Sequence, residues 1–405
     1  MRIALITARN PLAAAADPSG QPACLARALA GAGHRVTIYA RQDAAAARVS
    51  ILGKGISVEH VPAGPARPLA PEEAARHMPA MAAHLAAKFR AQRPDVVHAF
   101  GWVSGLAALG AVRDLDIPVV QSFGSLAVSE HRDNRGASVS ASRLRLETLL
   151  GRKADMVLAS SAQEAAELAR LGVPRPSIRV LPCGVDTDLF APEGAEVSRG
   201  SKHRLVAFAT CARAPGLTSV IRAVAQLPDT ELVIVGGPDS KHLPRTGPFR
   251  ELAQLAAELR IRSRVKFAGE VAAPQLAAVL RSADVVVSAA TYEPSGLRAI
   301  QAMACGTPVI ASAVGAHRDA VIDGTTGLLI APENPAMLAH RVRRLLATPA
   351  LLTAWGIAAA DRARSRYSWE RIGRETAAAY ERCLPSSDEF AAELADDAAE
   401  LAVSV

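Results

Sequence analysis

The sequence predicts an α/β protein of two similar domains, each an open parallel sheet covered by helices, facing each other across a cleft. Short β-branched runs alternate with longer Ala- and Leu-rich segments at helical spacing, the pattern of βαβ units. A polar stretch at 191–204 interrupts this alternation, which then begins again. The length of 405 residues, with 50% hydrophobic residues, suits two or three domains.

The first half of the chain carries seven predicted strands. Helical segments separate most of them, so we expect parallel pairing with helices on both faces of the sheet. The helices include Ala23–Ala32, Pro79–Gln92 and Ala162–Leu171. The strands are Ile3–Ala8, Val36–Ala40, Ser57–Val61, Val96–Ala99, Val119–Phe123, Met156–Ser160 and Ile178–Leu181.

The second half repeats the pattern after the polar stretch. Its helices include Leu217–Gln226, Phe249–Arg260 and Pro274–Arg281. We therefore place one domain at 1–190 and the other at 191–366, with ligands expected where strand C-terminal ends meet helix N-termini. The predicted strands are Leu205–Ala209, Leu232–Val235, Val265–Phe267, Val285–Ser288, Val309–Ala313 and Leu328–Ile330.

The end of the chain differs from both halves. Tyr367–Cys383 predicts one further helix, within a segment at 367–384, and 385–405 is an acidic tail. Phe390, Leu394 and Leu401 recur in the tail at near-helical spacing. Three interpretations stay open: a frayed end, a helix packed on its own domain, or a helix that binds a partner.

The composition excludes several classes of protein. The net charge is +7, but six residues are Lys and the arginines are scattered, so we expect no nucleic-acid partner, although a diffuse positive field attracts phosphorylated small molecules. No apolar run reaches about 18 residues, so we expect no integral membrane contact. The cysteines lie far apart, which favours reduced thiols, a cytoplasmic location and no metal site. They are Cys24, Cys183, Cys211, Cys305 and Cys383.

The loop after the first strand is one candidate site. It ends in Gly20 and Gln21, just before the first helix. A turn of small residues at a helix N-terminus offers backbone N–H groups to an anion or a sugar hydroxyl. The loop lacks G-x-G-x-x-G and is therefore not a dinucleotide fingerprint. On the same side of the predicted cleft, His98 ends a strand, where a histidine is more often a hydrogen-bonded structural residue than a base.

The turn from Tyr292 to Leu297 is a second candidate. Glu293 follows a strand, where its carboxylate can accept hydrogen bonds from two sugar hydroxyls, and the N–H groups of Ser295, Gly296 and Leu297 would point at a diphosphate. Alternatively, Glu293 is simply a charge at a helix N-terminus. Treated as a surface carboxylate, it would contribute little to folding.

A pair of glycines, Gly236 and Gly237, follows the strand Leu232–Val235. Glycine at this place permits close approach of the backbone to a ligand, and it equally well makes a simple turn.

These pieces, in this order, resemble glycosyltransferase family 4 over about residues 1 to 384. The most specific stretch is EPSGLRAIQAMACGTPVIASAVGAHRDAVIDGTTGLLIAPEN, which starts at Glu293. Others are SGQPACLARALAGAGHRVTIYAR from Ser19, RLRLETLLGRKADMVLASSAQEAAELARLGV from Arg143 and VLPCGVDTDLF from Val180. Within the family, the chain looks most like the actinobacterial group that glycosylates inositol phosphate.

The resemblance implies the GT-B fold, in which two Rossmann-like domains face across a cleft and the final helix crosses back to the first domain. It implies an enzyme that moves a sugar from a nucleotide-linked donor, UDP- or GDP-linked, to an acceptor with retention of configuration. The first domain would bind the acceptor and the second the donor. No metal and no separate cofactor are implied, and a homodimer is left open.

Several positions depart from the family pattern. The Arg and Lys that stabilise the leaving diphosphate fall on Thr210 and Pro215, and the second of two Glu residues is Gln301. A His that often follows the strand ending in Phe123 is Gly124, and the Phe after Glu-Pro is Ser295. Losing such a charge clamp weakens catalysis, because electrostatic stabilisation of the transition state usually contributes more to the rate than any other effect.

Two interpretations of these departures stay open. In the first, the chain is an active transferase: Glu293 holds the donor sugar, Gln301 touches the ribose, and Arg213, or else Arg298, partly replaces the clamp. In the second, it is a degenerate relative that binds a nucleotide sugar or a protein partner without turnover.

Overall fold

The computed structural model contains two α/β domains, which confirms the predicted fold class. It describes residues 1–11, 21–44, 48–133, 140–209, 215–244 and 246–384. The acidic tail at 385–405 therefore lies outside the described residues, as do Gly20, Thr210 and Arg213.

The strands belong to two sheets, one in each half of the chain. Every predicted strand is present, and each strand end lies within two residues of the prediction. In chain order the strands are Arg2–Thr7 (β1), Arg35–Arg41 (β2), Val49–Gly53 (β3), Ile56–Val61 (β4), Val96–Phe100 (β5), Val119–Ser122 (β6), Met156–Ala159 (β7), Ile178–Val180 (β8), His203–Phe208 (β9), Thr230–Val235 (β10), Val265–Gly269 (β11), Val285–Ser288 (β12), Val309–Ser312 (β13) and Gly327–Ile330 (β14).

The helices fall mostly between the strands, as the sequence pattern predicts. In chain order they are Gln21–Gly31 (α1), Pro71–Ala75 (α2), Met78–Ala91 (α3), Trp102–Ala111 (α4), Ala127–Asp133 (α5), Ala141–Lys153 (α6), Ala162–Arg170 (α7), Pro215–Val224 (α8), Pro248–Glu258 (α9), Ala273–Arg281 (α10), Leu297–Ala304 (α11), His317–Ala320 (α12), Pro335–Leu346 (α13), Pro349–Tyr367 (α14) and Trp369–Glu381 (α15).

The first sheet has eight strands in the order β3-β4-β2-β1-β5-β6-β7-β8, and the second has six in the order β11-β10-β9-β12-β13-β14. Pairing is parallel except at the edge, where β3 runs antiparallel to β4. The sequence pattern did not predict β3, because its side chains alternate between exposed and half-buried and none marks a buried face; Ile51 is 79% exposed. Parallel pairing places the carboxyl ends of the parallel strands together at one edge of each sheet.

The chain crosses between the domains twice, at neighbouring points. Val185 donates its N–H to the carbonyl of Tyr367 at 2.8 Å, and Val185 also forms an isolated bridge with Ser368. Val185 and Phe190 pack in the core of the second domain, so the first crossing lies before the predicted boundary at 190.

The predicted helix Tyr367–Cys383 is present as α15, which begins two residues later and ends two residues earlier than predicted. Tyr367 ends α14, and α15 begins only at Trp369, because Ser368 has an extended backbone with φ −61° and ψ 142°. That residue makes the bridge to the first crossing and so cannot stay helical.

Helix α15 packs on the first domain, although it follows the second in sequence. Ile372 and Tyr380 are buried with residues of β1, β2 and α1 in one core cluster. The hydroxyl of Tyr380 lies 2.7 Å from Nδ1 of His98, whose Nε2 lies 2.9 Å from Oγ of Ser122. A buried hydrogen-bonded chain therefore joins the last helix to strands β5 and β6.

Complete burial makes the stability of this junction depend on pH. Burial lowers the pKa of His98 from its ordinary 6.5 to about 3. The unfolded chain therefore binds one proton more than the fold between these values. His98 contributes fully above pH 6.5, and its contribution falls as the pH falls toward 3.

In the wild type, His98 makes the free energy of unfolding fall as the pH falls below 6.5, with a slope that approaches about 1.4 kcal/mol per pH unit, the value for one proton, toward pH 5. We expect His98→Gln to remove this part of the slope. Urea unfolding at a series of pH values measures this slope. The control His340→Gln removes an exposed histidine and should leave the slope as it is. An identical slope in His98→Gln and the wild type would contradict the role of His98.

Candidate functional site

The turn between β12 and α11 is built around a buried carboxylate. Glu293 is 7% exposed. Its Oε1 accepts the N–H of Gly296 at 2.8 Å and both the N–H and the hydroxyl of Ser295 at 3.2 Å. Gly296 adopts φ 68°, which favours glycine. Glu293 is thus not the surface carboxylate that the sequence analysis assumed, because its own turn folds over it.

These bonds change what the turn offers to a ligand. The amides of Ser295 and Gly296 are used by Glu293, and the amide of Leu297 reaches Oγ of Ser295 at a long 3.3 Å. Among the described residues, no donor bonds the second carboxylate oxygen, Oε2. The group that this turn leaves available to a ligand is therefore Oε2 of Glu293. A ligand could accept from the amides of Ser295 and Gly296 only by replacing Glu293 as their acceptor.

A histidine that the sequence analysis missed lies against this carboxylate. His317 is fully buried, and its Nε2 is 3.9 Å from Oε2 of Glu293. Its Nδ1 lies 3.0 Å from the carbonyl oxygen of Ser312, which can only accept, so Nδ1 carries the proton. Burial lowers the pKa of His317 and the charge of Glu293 raises it, with burial the larger effect. Nε2 of the neutral ring has no described hydrogen-bond partner.

A cation lies at the carboxyl edge of the second sheet. Arg298, in the first turn of α11, stacks over the ring of Phe208 at 5.4 Å from its centroid and donates to Oε1 of Gln301 at 3.0 Å. Burial lowers the pKa of Arg298 and the charge of Glu293 raises it, but a guanidinium remains protonated. Gln301 is itself buried. Arg298 therefore supplies a positive charge close to Glu293.

Of the positions expected to form the phosphate clamp, the structure describes only the backbone of Pro215. Thr210 and Arg213 lie outside the described residues, and Pro215 begins α8. The roles of these residues stay predictions.

The two predicted donor-side glycines have structural reasons for their presence. Gly236 and Gly237 adopt φ 97° and 68°, and a Cβ at Gly236 would lie 2.7 Å from the carbonyl oxygen of Ala209. A side chain at Gly237 would meet the ring of Phe249. Their contact with a donor stays a prediction.

Three residues predicted on the acceptor side line one small cavity. Gln21 at the start of α1, His98 in β5 and Gly124 after β6 meet there with Ser160 and with Trp369 of α15. Both ring nitrogens of His98 are engaged, so it is a neutral structural residue and not a base. Gly20, the remaining predicted residue on this side, lies outside the described residues.

The two domains touch beside the Glu293 turn. Oγ of Ser160 lies 2.7 Å from the carbonyl oxygen of Pro294. At the N-terminus of α7, the N–H of Ala162 donates to Oδ2 of Asp319 at 2.7 Å. Oε1 of Gln163 accepts the N–H of Gly315 at 3.0 Å. One of these hydrogen bonds joins the cavity residue Ser160 to the Glu293 turn, and the other two join the start of α7 to Gly315 and Asp319.

The sequence carried a weak signal for the residues that were missed. His317 directly follows the glycine-containing loop after β13, and loops of this kind often carry functional residues. Phe208 ends a strand like any core residue, and its contact with Arg298 depends on a helix far along the chain.

Membrane spans and metal clusters are both absent from the described part of the chain. No helix there is long and apolar enough to span a membrane. No group of three or more His, Cys, Asp or Glu side chains among the described residues is arranged to hold a metal ion.

The chain matches two families in tandem. Residues 23–189 match "Glycosyltransferase Family 4" and residues 196–362 match "Glycosyl transferases group 1". A D-inositol 3-phosphate glycosyltransferase of Catenulispora acidiphila is 34% identical over 350 residues, 81% of this chain and 82% of the relative.

Solved structures share the fold. A sucrose-phosphate synthase from Thermosynechococcus elongatus superposes with a TM-score of 0.83 at 30% identity, over 94% of this chain and 98% of the other. HepE of Anabaena, solved in complex with UDP-glucose, superposes with a TM-score of 0.72 at 19% identity, over 94% of this chain and 100% of the other. The identity with the Catenulispora relative over most of both chains and the pair of facing sheets show that this chain belongs to glycosyltransferase family 4 and has the GT-B fold.

Proposed function

We propose that this glycosyltransferase moves a sugar from a UDP- or GDP-linked donor to an acceptor hydroxyl with retention of configuration. The observation that carries the proposal is the buried carboxylate of Glu293, whose Oε2 has no described hydrogen-bond donor at the carboxyl edge of the donor-side sheet. A carboxylate in this setting accepts strong hydrogen bonds from sugar hydroxyls. The comparison with HepE supports a nucleotide-sugar donor, since that protein has been solved with UDP-glucose.

In the proposed reaction, the acceptor oxygen bonds to the anomeric carbon of the donor sugar while the bond from that carbon to the leaving phosphate oxygen breaks. The leaving phosphate takes the proton of the acceptor hydroxyl on the same face of the sugar. The protein then needs to position both substrates and to stabilise the charge that develops on the diphosphate.

The described residues offer a partial substitute for the missing clamp. Arg298 is fixed by Phe208 and Gln301, so its charge is held in place before the donor arrives. Its position at the start of α11 adds to the positive end of that helix. Arg213 remains the predicted second contributor, with Gln301 expected to contact the ribose.

The reduced, cytoplasmic setting that the cysteine pattern predicts is part of the same proposal. Among the described cysteines, Cys305 and Cys383 are free thiols. Burial raises the pKa of the Cys305 thiol to about 12, which keeps that thiol unreactive at neutral pH.

We expect Glu293→Gln to weaken donor binding at least about tenfold while leaving the fold intact. The amide oxygen of Gln can still accept from Gly296, but the charge that holds the sugar hydroxyls is lost. Titration calorimetry with UDP-glucose and GDP-mannose measures the affinity, and thermal unfolding checks the fold.

Glu293→Ala is the less informative variant, because it leaves the buried amides of the turn without an acceptor, at about 1–3 kcal/mol each. The matched control is Glu258→Gln, which removes an exposed carboxylate of α9 in the same domain. A donor affinity unchanged by Glu293→Gln would refute the assignment of the donor site.

We expect Arg298→Gln to lower kcat/KM by about 10²–10³, the usual effect of removing one group that stabilises developing charge. Nucleoside diphosphate release from the donor gives the rate. Arg222→Gln, an exposed arginine of α8, is the control and should keep wild-type turnover. Unchanged turnover in Arg298→Gln would show that Arg298 does not stabilise the leaving diphosphate. Arg213 would then be the next residue to replace.

A further inference from the structure

We propose that His317 is a positioning residue of the donor site. Its neutral ring leaves Oε2 of Glu293 free for a hydroxyl of the donor sugar, whereas a proton on Nε2 binds the ring to that oxygen, so the proton and the donor compete for one carboxylate oxygen. The inference rests on the proposed function and deepens it, because it names what controls access to the donor carboxylate.

The ring of His317 and the backbone of Glu293 are held against each other. The amide of Ala316 donates to the carbonyl oxygen of Glu293 at 2.9 Å. Gly315, with φ 49°, lets the two segments approach, since a Cβ there would collide with the same carbonyl oxygen. Nδ1 of His317 bonds the carbonyl oxygen of Ser312 at 3.0 Å. Backbone contacts on both sides therefore set the distance of 3.9 Å between Nε2 and Oε2.

The two atoms that face each other are both acceptors when the ring is neutral. Nδ1 carries the proton, because the carbonyl oxygen of Ser312 only accepts, so Nε2 presents a lone pair. Oε2 of the ionised Glu293 presents lone pairs as well. Among the described residues neither atom has a hydrogen-bond donor, although His317 is fully buried. A buried acceptor without a donor is rare in proteins, and an added proton satisfies this one.

A proton on Nε2 turns the pair into a donor and an acceptor. An imidazolium donates from both nitrogens, and its charge is opposite to that of Glu293. Shortening the separation of 3.9 Å to a charge-assisted bond of about 2.8 Å needs a side-chain movement of about 1 Å. Oε1 already accepts from Ser295 and Gly296. A sugar hydroxyl then has to compete with the protonated ring for Oε2.

The charge of Glu293 acts directly on the ring. It raises the pKa of His317, as does the bond to Ser312, but burial lowers this pKa by more, so the ring takes up its proton below its ordinary value of 6.5. Other described groups that titrate or carry charge on the elements around the pair are Tyr292 in the same turn, Arg298 in α11, Glu164 in α7, Arg362 in α14, and Arg318 and Asp319 in α12. The arginines among them and Asp319 already bond other groups.

Replacing the ring by a side chain that cannot titrate isolates its effect. His317→Leu introduces a side chain of similar size that neither donates nor takes up a proton. The carbonyl oxygen of Ser312 stays bonded in this variant, since it also accepts the N–H of Val314 at 2.8 Å. The matched control is His340→Leu, which removes an exposed histidine of α13 in the same domain.

We expect the donor affinity of the wild type to fall as the pH is lowered from about 8 to about 5, with a slope that approaches about tenfold per pH unit, the limit for one competing proton. His317→Leu should lose most of this fall, and His340→Leu should keep it. Calorimetry with UDP-glucose and GDP-mannose measures the affinity at each pH. Equal pH dependence in the wild type and His317→Leu, whether steep or flat, overturns the proposal.

The protonation of the ring gives a second readout, which a purely structural residue would not change. Two-bond ¹H–¹⁵N spectra of protein labelled with ¹⁵N-histidine distinguish the neutral tautomers and follow protonation, and the resonances of His317 are those absent from His317→Leu. We expect the Nδ1–H tautomer at neutral pH and a titration that moves to lower pH in Glu293→Gln, because the charge that raises the pKa is lost. Saturating donor should also move this titration to lower pH, since competition between two ligands is reciprocal.

The outcomes separate this proposal from the proposed function. If neither sugar nucleotide binds at any pH, the proposed function fails and the role of His317 fails with it. If a donor binds and Glu293→Gln weakens it, but the titration of His317 responds neither to Glu293→Gln nor to the donor, only the role of His317 is refuted. If His317→Leu does not fold, His317→Asn supplies the assignment and these titrations decide.

Discussion

The arrangement of the site depends on one interaction, the burial of the Glu293 carboxylate inside its own turn. A buried ionised group needs hydrogen bonds, and this one receives them from Ser295 and from the amide of Gly296 on its Oε1. The backbone must then turn sharply, which explains the left-handed Gly296. The loop after β13 also closes in, since the amide of Ala316 donates to the carbonyl of Glu293 at 2.9 Å.

This constraint links the two domains chemically. The segment that covers Glu293 includes Gly315 and, in α12, Asp319, and both of these bond the start of α7 in the first domain. The start of α7 follows Ser160, which lines the acceptor-side cavity. The hydrogen bonds between the two domains therefore lie beside the turn that holds Glu293.

The sequence predicted the fold well, because buried parallel strands are short β-branched runs that carry their own signal. It missed β3, whose residues are exposed at alternate positions, and it began the last helix at Tyr367, two residues too early, because the break at Ser368 is imposed by pairing with Val185. The site was harder to predict. The turn at Glu293 was found from its glycine and its place after a strand.

Its burial was not found, because it depends on His317 and Ala316, which come from a different loop. The pairing of Arg143 with Glu130 likewise joins two helices across a stretch of chain that periodicity does not connect. Contacts of this kind are set by tertiary packing, which one sequence does not display.

The central claim is that the Glu293 turn receives the donor. The most direct measurement follows the backbone amide resonance of Gly296 in protein labelled with ¹⁵N-glycine during titration with UDP-glucose, GDP-mannose and the free nucleosides. If the turn receives the donor, one of the two sugar nucleotides shifts the Gly296 resonance strongly, because its sugar hydroxyls compete for the carboxylate that accepts the hydrogen bond of this amide. The free nucleosides should leave the resonance unshifted. Saturable donor binding that leaves the Gly296 resonance unmoved would contradict the central claim.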